Sequence, residues 1–174
     1  MNTLIVYGSQ YGTTKQYAER FAEMTRFPVI DYKDIRTLAG YGRIIYFGAL
    51  YAGGVKGLRK TLRKLSPNTK LIIVTVGIAD VRNKENVRNI RDSIRKQVPD
   101  YVSEDLPCFH LRGGIDYTKL NFMHKTMMKM LYRSLADKPV ESLTQEDKEL
   151  METYNGTVDF VDFDSLKQIA KALQ

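Results

Sequence analysis

Two hydrophobic periods take turns along this chain. Short, nearly continuous apolar runs recur over Asn2–Tyr7, Pro28–Tyr32, Arg43–Ala49, Lys70–Thr75 and Leu106–Arg112. A half-exposed strand would alternate apolar and polar residues. A run that is apolar at nearly every position suits a strand buried on both faces. Between these runs the spacing turns helical. Tyr17, Phe21 and Met24 predict a helix over Thr13–Met24. Val55, Leu58, Leu62 and Leu65 predict another over Val55–Leu65, with Lys56, Arg59, Lys60, Arg63 and Lys64 facing out. Val87, Ile90, Ile94 and Val98 predict a third over Glu85–Val98. Five buried strands alternating with helices predict an α/β fold, a five-stranded parallel sheet with helices on both faces.

The tail changes character. Lys119–Leu135 has a helical pattern, with Leu120, Met123, Met127 and Leu131 on one stripe. Met123, Met127, Met128 and Met130 read first as core. Lys119, Lys125, Lys129 and Arg133 surround them, so the alternative is a patch facing a membrane or a substrate. Residues 136–156 are polar and acidic. Thr144 with Asp147 predicts a helix start and a short helix to Tyr154. Asn155-Gly156 breaks the chain, and Asp164 caps a last helix over Ser165–Leu173. No repeat, low-complexity tract or long linker interrupts the 174 residues. A single domain over 1–174, with a helical elaboration after the fifth strand, is expected.

The segment between the first strand and the first helix carries the candidate chemistry. It reads Ser9-Gln10-Tyr11-Gly12-Thr13-Thr14. A strand–loop–helix unit aims backbone N–H groups at one spot near the positive end of a helix dipole, which suits a phosphate. Ser9, Thr13 and Thr14 add hydroxyl donors, Gly12 lets the backbone come close, and no acidic side chain repels an anion. A plainer reading stays open: the hydroxyls only cap the helix. The loop has neither the P-loop pattern nor G-x-G-x-x-G.

Two further segments follow strands at the same sheet edge. Gly48-Ala49-Leu50-Tyr51-Ala52-Gly53-Gly54 follows the third strand, and a flat ring system can stack on Tyr51. Leu50, Tyr51, Ala52 and Gly53 are therefore candidates to flank such a ring. A Gly-rich turn with a surface tyrosine is the simpler alternative. Thr75-Val76-Gly77-Ile78-Ala79-Asp80 follows the fourth strand, and Gly77 and Asp80 are candidates to close a remaining edge.

Charge narrows the partners. The net charge is +7. Residues 1–100 carry 18 Lys and Arg against 8 Asp and Glu, whereas residues 101–174 carry 9 against 12. The basic part is either a solvated face or a surface for an anionic substrate, partner or membrane. Nucleic acid is not expected, because no recognition motif accompanies the charge. No apolar run reaches the ~18–20 residues of a membrane span, and no signal peptide is recognisable. A cytoplasmic location is expected, with room for peripheral contact at the inner membrane face. The single cysteine, Cys108, agrees with a reducing compartment. His110 and His124 are isolated in sequence and make no metal set, so no metal ligands are proposed. No protein acid or base stands out, so no catalytic residues are assigned either.

The loop Ser9–Thr14 after a first strand resembles the FMN-phosphate loop of the flavodoxin superfamily, roughly [ST]-x-T-G-x-T. Ser9, Gly12 and Thr14 match, and Tyr11 departs where a hydroxyl often lies. The resemblance implies the strand order 2-1-3-4-5, with the ligand at the switch between the first and third strands. It implies FMN held by Ser9, Gln10, Tyr11, Gly12, Thr13 and Thr14. It implies a ring flanked by Leu50, Tyr51, Ala52 and Gly53, with Gly77 and Asp80 at the remaining edge. The third segment lacks the aromatic that flavodoxins often place there, none appearing before Tyr101, which leaves one ring face open. Electron-shuttle flavodoxins are strongly acidic, and this chain is basic.

Gly113-Gly114-Ile115-Asp116-Tyr117, followed by the Met- and Lys-rich helix, resembles the flavodoxin-domain family that includes menaquinone-dependent protoporphyrinogen dehydrogenase. That resemblance implies an FMN oxidoreductase or electron-transfer protein, passing electrons from a reduced donor such as a porphyrinogen to a quinone or protein acceptor. The alternative is a flavin-free binding or signalling module on the same fold. A receiver domain is a poor version of it, because Tyr7-Gly8-Ser9 stands where an acidic pair would be needed.

Overall fold

The computed structural model describes residues 1–51, 53–99 and 106–173. Its main sheet is built from β1 (Thr3–Gly8), β2 (Val29–Asp31), β3 (Arg43–Tyr51), β4 (Gly54–Val55), β5 (Lys70–Gly77) and β6 (Cys108–Arg112). Five of these strands run parallel in the order β2-β1-β3-β5-β6, and β4 pairs with the end of β3. This is the expected 2-1-3-4-5 order of five parallel strands. The register sets Leu4 beside Ile44 and Ile44 beside Leu71 across the sheet centre.

The continuous apolar runs are explained by burial on both faces. Leu4, Val6, Ile44, Tyr46, Leu71 and Ile73 point to one side. There they meet α2 (Leu58–Leu62) and α3 (Lys84–Arg95) through Leu58, Leu62, Ile90 and Ile94. The alternate residues Ile5, Ile45, Phe47, Ile72 and Val74 point to the other side. They meet α1 (Thr13–Thr25) through Tyr17, Ala18 and Phe21, and α6 (Leu166–Lys171) through Leu166 and Ile169.

Several boundaries differ from those the sequence predicts. Val55–Leu65 is not one helix. The chain folds back so that Val55 pairs with Leu50, and the helix runs only over Leu58–Leu62. Gly57 makes this possible at φ 77, where a Cβ would lie 2.5 Å from the Tyr32 ring. The fifth parallel strand starts at Cys108 rather than Leu106, because Pro107 has no N–H for the ladder. The last helix starts after a 3-10 turn over Phe163–Ser165, capped by the Asp162 carboxylate rather than by Asp164. Asp164 instead pairs with Lys167 at 2.6 Å. The Thr144 prediction holds: Thr144 and Asp147 form a reciprocal capping box on α5 (Gln145–Thr153).

The elaboration after β6 has its own small core. β7 (Gly114–Asp116) pairs antiparallel with β8 (Thr157–Asp159), a two-stranded sheet absent from the sequence expectations. Ile115, Tyr117 and Leu120 cluster with Met128 of α4 (Phe122–Ala136). Within α4, Met128 and Leu135 are the buried residues. Of the positions expected to form a core stripe, Leu120 and Met128 are buried in this cluster, whereas Met123, Met127, Met130 and Leu131 are exposed, because the cluster covers a different side of the helix. Among the described residues, no helix is long and apolar enough to cross a membrane.

Candidate functional site

The β1–α1 loop lies at the C-terminal edge of the parallel strands, where β1 and β3 diverge into their separate helices. Gly12 is the N-cap residue of α1 at φ 97, a left-handed conformation that favours glycine. No side chain caps the helix, and its first turn has no acidic residue. The hydroxyl-rich loop therefore does not spend itself on capping α1. Ser9 Oγ accepts from the Gly12 N–H at 3.1 Å, which closes the loop and leaves the serine hydroxyl proton free to be donated. Thr13 Oγ1 donates to the Gly114 carbonyl at 3.3 Å, tying the loop to β7. Thr14 is buried beneath the loop. An uncapped helix start with first-turn N–H groups and a free hydroxyl proton fits an anionic oxygen ligand.

The structure brings Tyr11 and Tyr51 together from separate strand ends. Their ring centroids are 6.4 Å apart, nearly perpendicular. His124 from α4 completes the group, 5.6 Å from Tyr11 and 6.0 Å from Tyr51. Burial, then the neighbouring Tyr51 and Tyr117, pushes the Tyr11 phenol up to about 12. Tyr11 thus stays a neutral donor over the physiological range. The Tyr51 hydroxyl contacts Met127 Sδ at 3.6 Å.

Gln10 links this aromatic group to a cation. Lys56 Nζ donates to Gln10 Oε1. The Gln10 amide nitrogen then donates to His124 Nε2 at 2.8 Å. That orientation is required, since an ammonium needs an acceptor, and it places the imidazole proton on Nδ1. The Lys56 ammonium also lies 5.4 Å from the Tyr51 ring centroid. Burial lowers the Lys56 pKa, and nearby Lys33 adds to the effect while Asp31 opposes it. The sequence pattern puts Lys56 on the outer face of a helix. The β3–β4 hairpin instead turns it into the site.

The third segment divides. Gly77 sits against Leu50, whose Cδ1 would be 2.8 Å from a Cβ there. Asp80 points its polar atoms at protein partners. Arg82 donates to its carboxylate through the backbone N–H at 2.9 Å and the guanidinium at 3.0–3.1 Å. Those hydrogen bonds hold the Asp80 carboxyl at about 2. Its N–H donates to Glu149 Oε2 at 2.8 Å, and its carbonyl accepts from Asn86 Nδ2 at 3.0 Å. Asp80 thus fastens α3 and α5 to the end of β5. Gly53 sits at φ 74 in the hairpin turn, and its carbonyl accepts from Ser93 Oγ at 2.7 Å. Ala52 lies outside the described residues.

A cavity of about 510 Å³ opens beside the loop, between Tyr11, Thr13 and Gln16 on one wall and Asp116, Asp159 and His124 on the other. The β7–β8 sheet forms part of that second wall. Sequence reasoning gave His124, Asp116 and Asp159 no place in the site. The strands that bear the two acidic residues are three residues long, too short to show a period, and the return of β8 to β7 sets them there.

A family model described as flavodoxin domain matches residues 4–142, which includes the β1–α1 loop, the Tyr51 segment, Lys56 and His124 but neither α5 nor β8. No curated protein matches the chain significantly. Among solved structures, the flavodiiron core of Flv1 from Synechocystis sp. PCC6803 is similar over 100% of this chain, at 14% identity and a TM-score of 0.43. The chain spans 37% of that protein's length. A cysteine-to-alanine mutant of flavodoxin from Pseudomonas aeruginosa is similar over 78% of this chain and 97% of its own, at 16% identity and a TM-score of 0.43. A mutant flavodoxin from Fusobacterium nucleatum, bound to flavin mononucleotide, is similar over 69% of this chain and 72% of its own, at 14% identity and a TM-score of 0.36. With the family model covering residues 4–142 and the parallel order β2-β1-β3-β5-β6 beneath it, the chain belongs to the flavodoxin-domain family.

Proposed function

We propose that this chain binds FMN and works as a redox flavoprotein, an oxidoreductase passing electrons from a reduced organic donor to a quinone or protein acceptor. The observation that carries the reading is the uncapped, Gly12-led start of α1 with the Tyr11–Tyr51 pair beside it, in a chain of the flavodoxin-domain family. The residues present fit the cofactor. Main-chain N–H groups at Thr13 and Thr14, with the Ser9 hydroxyl, would hold the phosphate. Tyr51, Tyr11 and Leu50 would bound the ring, with Gly77 making room for the Leu50 side chain at the end of β5.

FMN supplies the electron chemistry when bound, which agrees with the lack of an assigned protein acid or base. The chain's part is to bind, orient and exclude water. Lys56 would offset the phosphate or ring charge through the Gln10 link, and His124 would hold Gln10 in place. A donor with carboxylates, such as a porphyrinogen with propionates, suits the basic character of residues 1–100.

The test is the visible spectrum of the purified protein, with FMN titration of any apo fraction. A yellow protein, or one that takes up FMN, is expected. Ser9→Ala, which removes the free hydroxyl donor, should weaken FMN binding while far-UV circular dichroism stays unchanged. A colourless preparation that ignores added FMN would leave the flavin-free module as the better reading.

A further inference from the structure

The exposed side of α4 is an unusual surface for this chain. Phe122 is 86% exposed, Met123 68% and Met130 67%. Met127 and Leu131 complete the patch, and together these residues line a shallow cleft of about 690 Å³. Their spacing of three and four places them on one face over three helical turns. The opposite face is anchored. Met128 and Leu135 are buried, and Tyr132 stacks on Tyr154 of the following segment at 4.2 Å. The helix is thus held rigidly with its apolar face outward, not frayed from a core.

Charge marks what covers it. The stretch from Tyr117 to Ala136 contains four cations and no acidic residue. This holds although residues 101–174 carry 12 acidic residues against 9 basic ones. Lys119 pairs with Asp116. Among the described residues, Lys125, Lys129 and Arg133 make no ion pair. At about 100° per residue these three cations fall together on the flank of the apolar face. Their stems can lie along that face while the charges reach past it. Long, unbranched methionines, a leucine and a phenylalanine make a deformable apolar face beside a cationic flank, the pattern of a helix that lies in a membrane interface.

We infer that α4 docks this protein onto an anionic lipid surface. Phe122, Met123 and Met130 enter the headgroup boundary, and Lys125, Lys129 and Arg133 pair with lipid phosphates. The docked face adjoins the candidate site, because Met127 Sδ lies 3.6 Å from the Tyr51 hydroxyl and His124 is on the same helix. Docking therefore brings the rim of that site to the membrane surface. The inference does not depend on FMN being the ligand.

The experiment is co-flotation of the full chain with vesicles of phosphatidylcholine containing phosphatidylglycerol, compared with pure phosphatidylcholine, at low and high salt. Binding to the anionic vesicles is expected, with loss at high salt. Each cation near such a surface contributes roughly fivefold in partitioning. The triple variant Lys125→Gln, Lys129→Gln, Arg133→Gln should therefore bind on the order of 100-fold more weakly. Met123→Ser with Met130→Ser should also reduce binding, and unchanged urea midpoints would show that both variants fold. No flotation with anionic vesicles would overturn the inference. So would equal binding to both vesicle types, or a dimer in sedimentation that Met130→Ser dissociates while vesicles are ignored.

Discussion

Tyr17→Phe removes one oxygen atom from the junction that holds the site's helix to the end of the chain. Tyr17 is fully buried in α1. Its hydroxyl donates to the Arg112 carbonyl at 2.8 Å, where β6 ends. It also accepts from the Asp162 N–H at 2.8 Å, just before the 3-10 turn that leads into α6. The ring packs against Phe163 at 5.3 Å, and phenylalanine keeps that contact. The substitution therefore isolates the two hydrogen bonds. Each buried backbone group left without a partner costs about 1–3 kcal/mol. Asp162 is exposed, so water recovers much of its share, whereas the Arg112 carbonyl lies deeper. The expected loss is about 2–3 kcal/mol. For a chain of this size each kcal/mol lowers the melting temperature by about 2–4 °C. Urea unfolding followed by circular dichroism measures the loss, and limited proteolysis should find earlier cuts near α6. A loss below about 0.5 kcal/mol, within the usual range of an unconnected surface position, would refute the idea that this hydroxyl ties the three segments.

The remaining predictions concern pH and the ligand. His110 Nδ1 lies 2.8 Å from Thr75 Oγ1, its Nε2 has no partner among the described residues, and burial, helped by Arg91, lowers its pKa to about 4. The unfolded chain binds this proton near 6.5, so stability is full above that pH and is lost as pH falls towards 4. His110→Asn should flatten the pH dependence of the urea midpoint across this window, and an unchanged slope would assign it to other groups. Lys56→Met removes the ammonium that bonds Gln10 and lies over Tyr51. A charge-assisted contact with an anionic ligand is worth about 1–2 kcal/mol. FMN affinity should therefore fall roughly tenfold and lose part of its salt dependence, read by fluorescence titration. An unchanged dissociation constant would place Lys56 away from the ligand.

The parts of the fold that came through from the sequence are those governed by local pattern. Strands buried on both faces show as apolar runs such as Ile44–Phe47 and Leu71–Val74, and their alternation with helices implies the parallel sheet. The Thr144–Asp147 box was readable because capping is a contact three residues apart. Val55–Leu65 misled because its apolar spacing suits a helix, while a hairpin turn and left-handed Gly57 delay the helix to Leu58. The Met stripe of α4, of which Met128 alone is buried, misled in another way. Helical spacing tells which residues share a face, and it does not tell whether anything packs on that face.

The phosphate-shaped loop, the Tyr51 segment and the meeting of both at one sheet edge follow from residue type and strand order, which act over short stretches of chain. Tertiary structure decided how far each was kept. It spent the Asp80 carboxylate on Arg82, turned the Thr13 hydroxyl to Gly114, and carried Lys56 and His124 to Gln10 from 46 and 114 residues away. Such meetings depend on where distant elements dock, through cores like the Ile115–Tyr117–Leu120–Met128 cluster. A hydrogen bond or a bare helix face is a property of that docking, so no window of sequence around either residue contains it.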